Sequence, residues 1–180
     1  MRKFVLISIL STLSIAVHGQ ELMRSDDVYI HMKSDAPLEV IEAESSECLG
    51  IMEIERSSFL FKVKIRSFEG FNSPLQREHF NENYMESDRF PDALFKGFIL
   101  SDIGNLDSTW NSIQVKGTLS VHGVDKERVL DIEMRRTADD LIEFRGTFEV
   151  RLDDHDISVP RIVYQKIAEV ISITVRGSLQ

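Results

Sequence analysis

The stretch Gln76–Gly97, QREHFNENYMESDRFPDALFKG, gathers the side chains of this sequence best suited to chemistry. Glu78, His79, Glu82 and Glu86 place a general base among carboxylates, and His79 with Glu82 has the i, i+3 spacing of residues that share one helix face. A hydrolase or isomerase using His79 with Glu78 or Glu82 is one reading of that pattern. A metal site is a poorer one, because helical zinc motifs pair His at i and i+4 and position 83 is Asn. His31, His122 and His155 stand alone in or beside strand-like stretches, without ligand spacing. Neither a metal nor another cofactor is expected.

Nucleophilic catalysis finds no better support. There is no Gly-x-Ser-x-Gly elbow and no phosphate-cradling glycine loop, and Ser57 and Ser58 sit at a strand entrance. Cys48 is the single cysteine, so no intramolecular disulfide forms, and its surroundings read as a strand in which it is a small buried residue. Asp139-Asp140 and Asp153-Asp154 read as solvated turn residues. No catalytic residue is therefore expected.

The elements that would position these groups are mostly strands. SSFLFKVKIRSF sets Phe59, Phe61, Val63 and Ile65 against Lys62, Lys64 and Arg66, the period-two pattern of a half-buried strand. SIQVKGTLSVHG and LIEFRGTFEVRL repeat the design, and weaker strands are expected at 28–33, 39–44, 49–55, 93–103, 128–137 and 169–177. Seven to nine antiparallel strands, each with one apolar face, fit a barrel or a sandwich. Gly97, Gly117 and Gly146 inside strands favour the barrel, since such glycines mark bends or close backbone approach.

Two segments break the pattern. NSPLQREHFNENYMES reads as a short amphipathic helix, Leu75 to Met85, with Asn72 or Ser73 as its cap and Pro74 in its first turn, and DHDISVPRIVYQKIAE as a helical turn carrying Ile162, Val163 and Ile167. Both lie between strands, where they would close a barrel end. In this reading Gln76–Gly97 is a closure rather than a catalytic loop.

The start, MRKFVLISILSTLSIAVHGQ, has the basic, apolar and small-residue regions of a secretory signal peptide, residues 1–19, with no later membrane-spanning stretch. The expected domain is residues 20–180, one core in size. Losing Arg2 and Lys3 leaves 19 basic residues against 30 acidic ones, a net charge of −11, which argues against a nucleic-acid partner.

The ordered series FNSPLQREHFNENYMESDRFPDALFKG, VKGTLSVHGVDKERVLDIEM and FEVRLDDHDISVPRIV resembles the YceI-like family of exported bacterial proteins. The similarity is carried by His79 before a short helix, Phe90-Pro91 leading to Phe95, the hairpin around His122-Gly123-Val124, and Asp156-Ile157 leading to Pro160. It implies an all-β, lipocalin-like antiparallel barrel of about eight strands with one or two short helices closing the ends. It also implies a periplasmic protein that holds a polyisoprenoid or other long-chain amphiphilic lipid. REHFNENYMES departs from the family's usual arginine-aspartate version, so no head-group contact is transferred.

Strand parity then names the candidate lining: Phe59, Phe61, Val63, Phe95, Ile99, Val115, Leu119, Ile132, Met134, Phe144, Phe148, Ile171 and Ile173, with Phe80 and Tyr84 at the mouth. With 11 Phe against one Trp and three Tyr, the aromatic surface calls for apolar surroundings. A ligand-free barrel filled by those rings is the remaining alternative, and a homodimer is left open.

Overall fold

The structure, a computed structural model, describes residues 22–180; the signal-peptide reading of residues 1–19 lies outside them. Eight strands form one closed antiparallel barrel: β1 Leu22–Asp35, β2 Val40–Glu53, β3 Ser58–Lys64, β4 Asp92–Ile99, β5 Asn111–Val121, β6 Val124–Arg136, β7 Ile142–Arg151 and β8 Val170–Leu179. Each strand pairs with its sequence neighbours, and β8 closes on β1 from Tyr29↔Arg176 to Ser34↔Ile171. The alternation read from β3, β5 and β7 is the physical origin of this wall, one face turned to the lumen and one to water.

The expected strands at 39–44 and 49–55 are one strand, β2. Its inward residues Ile41, Ala43 and Ser45 are followed, after the consecutive exposed pair Ser46-Glu47, by inward Cys48, Gly50 and Met52. β1 makes the same phase change at Asp26-Asp27, where its pairing with β2 shifts register. An extra residue in each strand bends the pair without ending it, and that phase change reads in sequence as a break. At the β4–β5 contact Gly97 faces Gly117, and a Cβ on Gly117 would lie 2.5 Å from the Lys96 carbonyl oxygen. Only glycine allows the two backbones to meet there.

Connectivity decides which end is which. In an up-and-down barrel the β1–β2, β3–β4, β5–β6 and β7–β8 connections all fall at one end, and here these include both segments that broke the strand pattern. The β3–β4 connection holds α1, Pro74–His79, and a π turn, Phe80–Tyr84; the β7–β8 connection holds 3₁₀ turns at Asp153–His155 and Arg161–Val163. The helix starts as read, with Pro74 at its first position and the Ser73 hydroxyl accepting from the Gln76 amide at 3.2 Å. It is shorter than expected: after six residues the Met85 amide bonds the Phe80 carbonyl at 2.9 Å, a five-residue turn.

The opposite end is packed shut. Ile103 and Leu106 of the β4–β5 connection fold inward to meet Met23, Ile99, Ile113, Ile142 and Leu179, all buried in one apolar cluster. The barrel is thus a cup with a solid base.

Candidate functional site

Above that base lies a cavity of about 470 Å³, within the ~300–1,000 Å³ range of small-molecule sites. Fourteen of the fifteen candidate lining residues face it: Phe59, Phe61, Val63, Phe80, Tyr84, Phe95, Val115, Leu119, Ile132, Met134, Phe144, Phe148, Ile171 and Ile173. Ile99 does not. Its parity is inward as read, but it ends β4 at the packed base and is buried among Ile103, Leu106 and Ile113. Alternation gives the face of a residue and not its height along the barrel axis.

Further wall residues were not read from the sequence. Val28, Ile30 and Met32 of β1, Ile41, Cys48 and Met52 of β2, and Val163 and Ile167 of the β7–β8 connection are among them. The β1 residues were legible in VYIHMK, where Val28, Ile30 and Met32 alternate with polar neighbours. The β2 pair Cys48 and Met52 was obscured by the phase change described above. Cys48 is 1 % exposed, and burial pushes its thiol up to about 11, so it is an inert part of the wall at neutral pH.

Phenylalanines organise the lumen. Phe59 and Phe95 meet at 5.0 Å between ring centroids, and Phe61 reaches across the barrel from β3 to Phe144 of β7 at 5.2 Å. Phe61 lies over Gly50 of the neighbouring strand, where any Cβ would strike the ring. At the mouth, Phe80 of the π turn packs on Phe71 at 5.0 Å and Phe68 at 6.0 Å. The Tyr84 hydroxyl is shifted upward by burial.

Polarity is confined to the mouth. The charged or ionisable groups along the wall, besides Cys48 and Tyr84, are Glu39, His79 and Lys166, and all three belong to open-end segments. Glu39 is held: the side-chain amides of Asn72 and Gln76 donate to it at 3.3 and 3.1 Å, which fastens α1 to the β1–β2 hairpin. Asn72 also donates to the Val40 carbonyl at 2.9 Å.

The expected chemistry of Glu78, His79 and Glu82 does not assemble into a cluster. All three are exposed, and among the described residues no group of three or more His, Cys, Asp and Glu side chains is placed to hold a metal ion. The histidine that does meet a carboxylate is His122, which the sequence left standing alone. Its Nδ1–H donates to the His155 carbonyl at 3.1 Å and its Nε2 lies 3.0 Å from Glu86. Phe90 packs edge-on against the ring at 4.7 Å. His155 is fully buried, with Nδ1 3.1 Å from the Val124 carbonyl, and burial lowers its pKa. Glu86, His122 and Asp156 all adopt left-handed backbone conformations, so three strained positions converge where the closure joins the wall. None of them reaches the cavity. This cluster is a clamp on the C-terminal half of the β3–β4 connection.

A closed eight-stranded antiparallel barrel with a blind, apolar, ring-lined cavity and polar groups at its mouth is the lipocalin-like architecture, whose size allows it to enclose one small ligand. Residues 25–179 match the YceI-like domain, and the chain belongs to that family. Its structure is similar to a polyisoprenoid-binding domain from Saccharophagus degradans implicated in plant cell wall breakdown, with TM-score 0.76 and 9 % identity over 90 % of this chain and 99 % of that one. It is also similar to BcnA of Burkholderia cenocepacia, with TM-score 0.70 and 12 % identity over 84 % and 95 % of the two chains. The YceI protein of Campylobacter jejuni aligns over 99 % and 97 %, with TM-score 0.54 and 16 % identity. Among curated proteins no match is found.

Proposed function

We propose that this protein is an exported, periplasmic binding protein that holds a polyisoprenoid or similar long-chain lipid in its cavity and catalyses no reaction on it. The polarity gradient of the cavity carries this reading: a solid apolar base, phenylalanine and aliphatic walls, and charge only at the open end. That is the outline of an amphiphile with its tail inward and its head group beside Lys166, His79 and Gln76. At about 0.8 kcal/mol per buried CH₂, a twenty-carbon tail gains on the order of 10 kcal/mol or more before ordering and association costs. Similarity to a polyisoprenoid-binding domain supports the choice of ligand class, and the apolar start of the sequence supports export.

The test is mass spectrometry of organic extracts from protein purified from its native host. A co-purified lipid, displaced by excess polyprenol, is the expected result. Protein that carries no lipid and takes up no fluorescent polyprenol would leave a ligand-free structural barrel. Turnover lost in a folded His79→Ala protein would overturn the non-catalytic reading.

A further inference from the structure

We infer that the rim of the cavity mouth docks on an anionic lipid bilayer and sets the opening against the membrane surface. The transfer role given to this docking rests on the lipid cavity proposed above. Four large apolar side chains stand out on the open-end segments: Leu38 is 67 % exposed, Leu75 57 %, Ile162 92 % and Tyr164 61 %. They belong to connected segments. The Leu38 amide donates to the Gln165 carbonyl at 2.8 Å, tying the β1–β2 tip to the turn that carries Ile162 and Tyr164. Asn72, two residues before α1, bonds the base of the same hairpin. Along the β7–β8 connection the rim and the cavity wall interleave, with Ile162 and Tyr164 exposed while Val163 and Ile167 line the cavity.

Charge selects the occupant. Residues 157–168, ISVPRIVYQKIA, carry two bases and no acid in a chain of net charge −9. Arg161 and Lys166 are exposed, and among the described residues neither takes part in a salt bridge. Aliphatic and tyrosine side chains flanked by unpaired cations suit the boundary of an anionic bilayer: the apolar groups enter the acyl region and the cations meet lipid phosphates. A second copy docked mouth to mouth would set the same cations against one another. The exposed acids Glu78 of α1 and Glu82 of the π turn centre the contact on Leu38 and the Arg161–Lys166 turn. The ligand's chemistry asks for the same arrangement, because a tail released into water re-exposes every methylene, whereas a mouth seated on a bilayer passes it between two apolar media.

Flotation of the purified protein with vesicles of phosphatidylcholine alone, or with one-fifth phosphatidylglycerol, tests the proposal. The protein should float with the anionic vesicles and progressively less as salt rises. Ile162→Ser with Tyr164→Ser should lower that partition about tenfold, and Arg161→Gln with Lys166→Gln should remove its salt dependence. These side chains are exposed, so melting temperatures should stay unchanged. Transfer of a fluorescent polyprenol from vesicles should slow in the Ile162→Ser, Tyr164→Ser protein at unchanged equilibrium capacity, since neither side chain lines the cavity. Wild-type protein that fails to float, or rim variants that float as well as wild type, would overturn the docking. So would a wild-type dimer that Ile162→Ser with Tyr164→Ser dissolves, which would assign the rim to a second copy. Rim-dependent flotation of a protein that takes up no lipid would uphold the docking and remove the lipid-cavity reading instead.

Discussion

The two ends of this barrel are made from the same strands and do opposite things. At the base, short connections and the inward-folded Ile103 and Leu106 pack against Met23, Ile99, Ile113, Ile142 and Leu179, with Ile142 and Leu179 at 0 % exposure. At the mouth, two long connections bring a helix, a π turn and 3₁₀ turns that hold themselves by hydrogen bonds to the rim and leave space beneath. Stability therefore belongs to the base and freedom to open to the mouth, because a close-packed cluster resists change while segments resting over a cavity have fewer neighbours to lose.

The largest stability effect should come from the base. Ile142→Ala removes a fully buried side chain whose site cannot collapse, and should cost about 2–5 kcal/mol, readable as the shift of a denaturant midpoint. Lipid affinity of the protein that remains folded should change little, since Ile142 does not line the cavity. A stability loss below about 0.5 kcal/mol would contradict the division between the ends.

At the mouth the expected pattern reverses. Replacing Phe80 and Tyr84 by Ala removes the ring packed on Phe68 and Phe71 and the neighbouring phenol, both only partly buried. Stopped-flow release of a fluorescent lipid should accelerate about tenfold or more, while stability falls by roughly 1–2 kcal/mol. Unchanged release, or a large effect from Glu82→Gln alone, would return the segment to the catalytic reading.

A smaller effect comes from acid. His155 is buried as the neutral imidazole and its folded pKa lies below the ordinary value of 6.5. As pH falls through 6.5 the unfolded chain takes up a proton that the folded chain resists, so stability is complete above that pH and declines below it, down to the depressed folded value. Thermal unfolding between pH 7.5 and 5 should show this decline, and His155→Gln should flatten it. Equal slopes for the two proteins would show that His155 does not contribute.

The smallest expected effect is at Cys48. Cys48→Ala should cost no more than about 1–2 kcal/mol and leave lipid binding intact, and the native thiol, raised to about 11, should react with a thiol reagent only slowly at pH 8. Loss of lipid binding in a folded Cys48→Ala protein would give the wall position a role in recognition that its chemistry does not suggest.

Read alone, the sequence determined the class of fold and a large part of the phenylalanine and aliphatic wall of the cavity. Phe59, Phe61 and Val63, like Val115 and Leu119, announce their face because side chains alternate strictly along a strand, and such a rule is local. Ser73 and Pro74 likewise announced the start of α1. What the tertiary structure decided is what alternation cannot express. The doubled residues at Asp26-Asp27 and Ser46-Glu47 let β1 and β2 continue through a change of phase, which kept Cys48 and Met52 off the list of lining residues. Ile99 has the parity of a lining residue and the height of a base residue, since height depends on how strands far apart in sequence are staggered. Glu86, His122 and His155 have no sequence spacing in common, and they meet because barrel closure brings three open-end connections to one place.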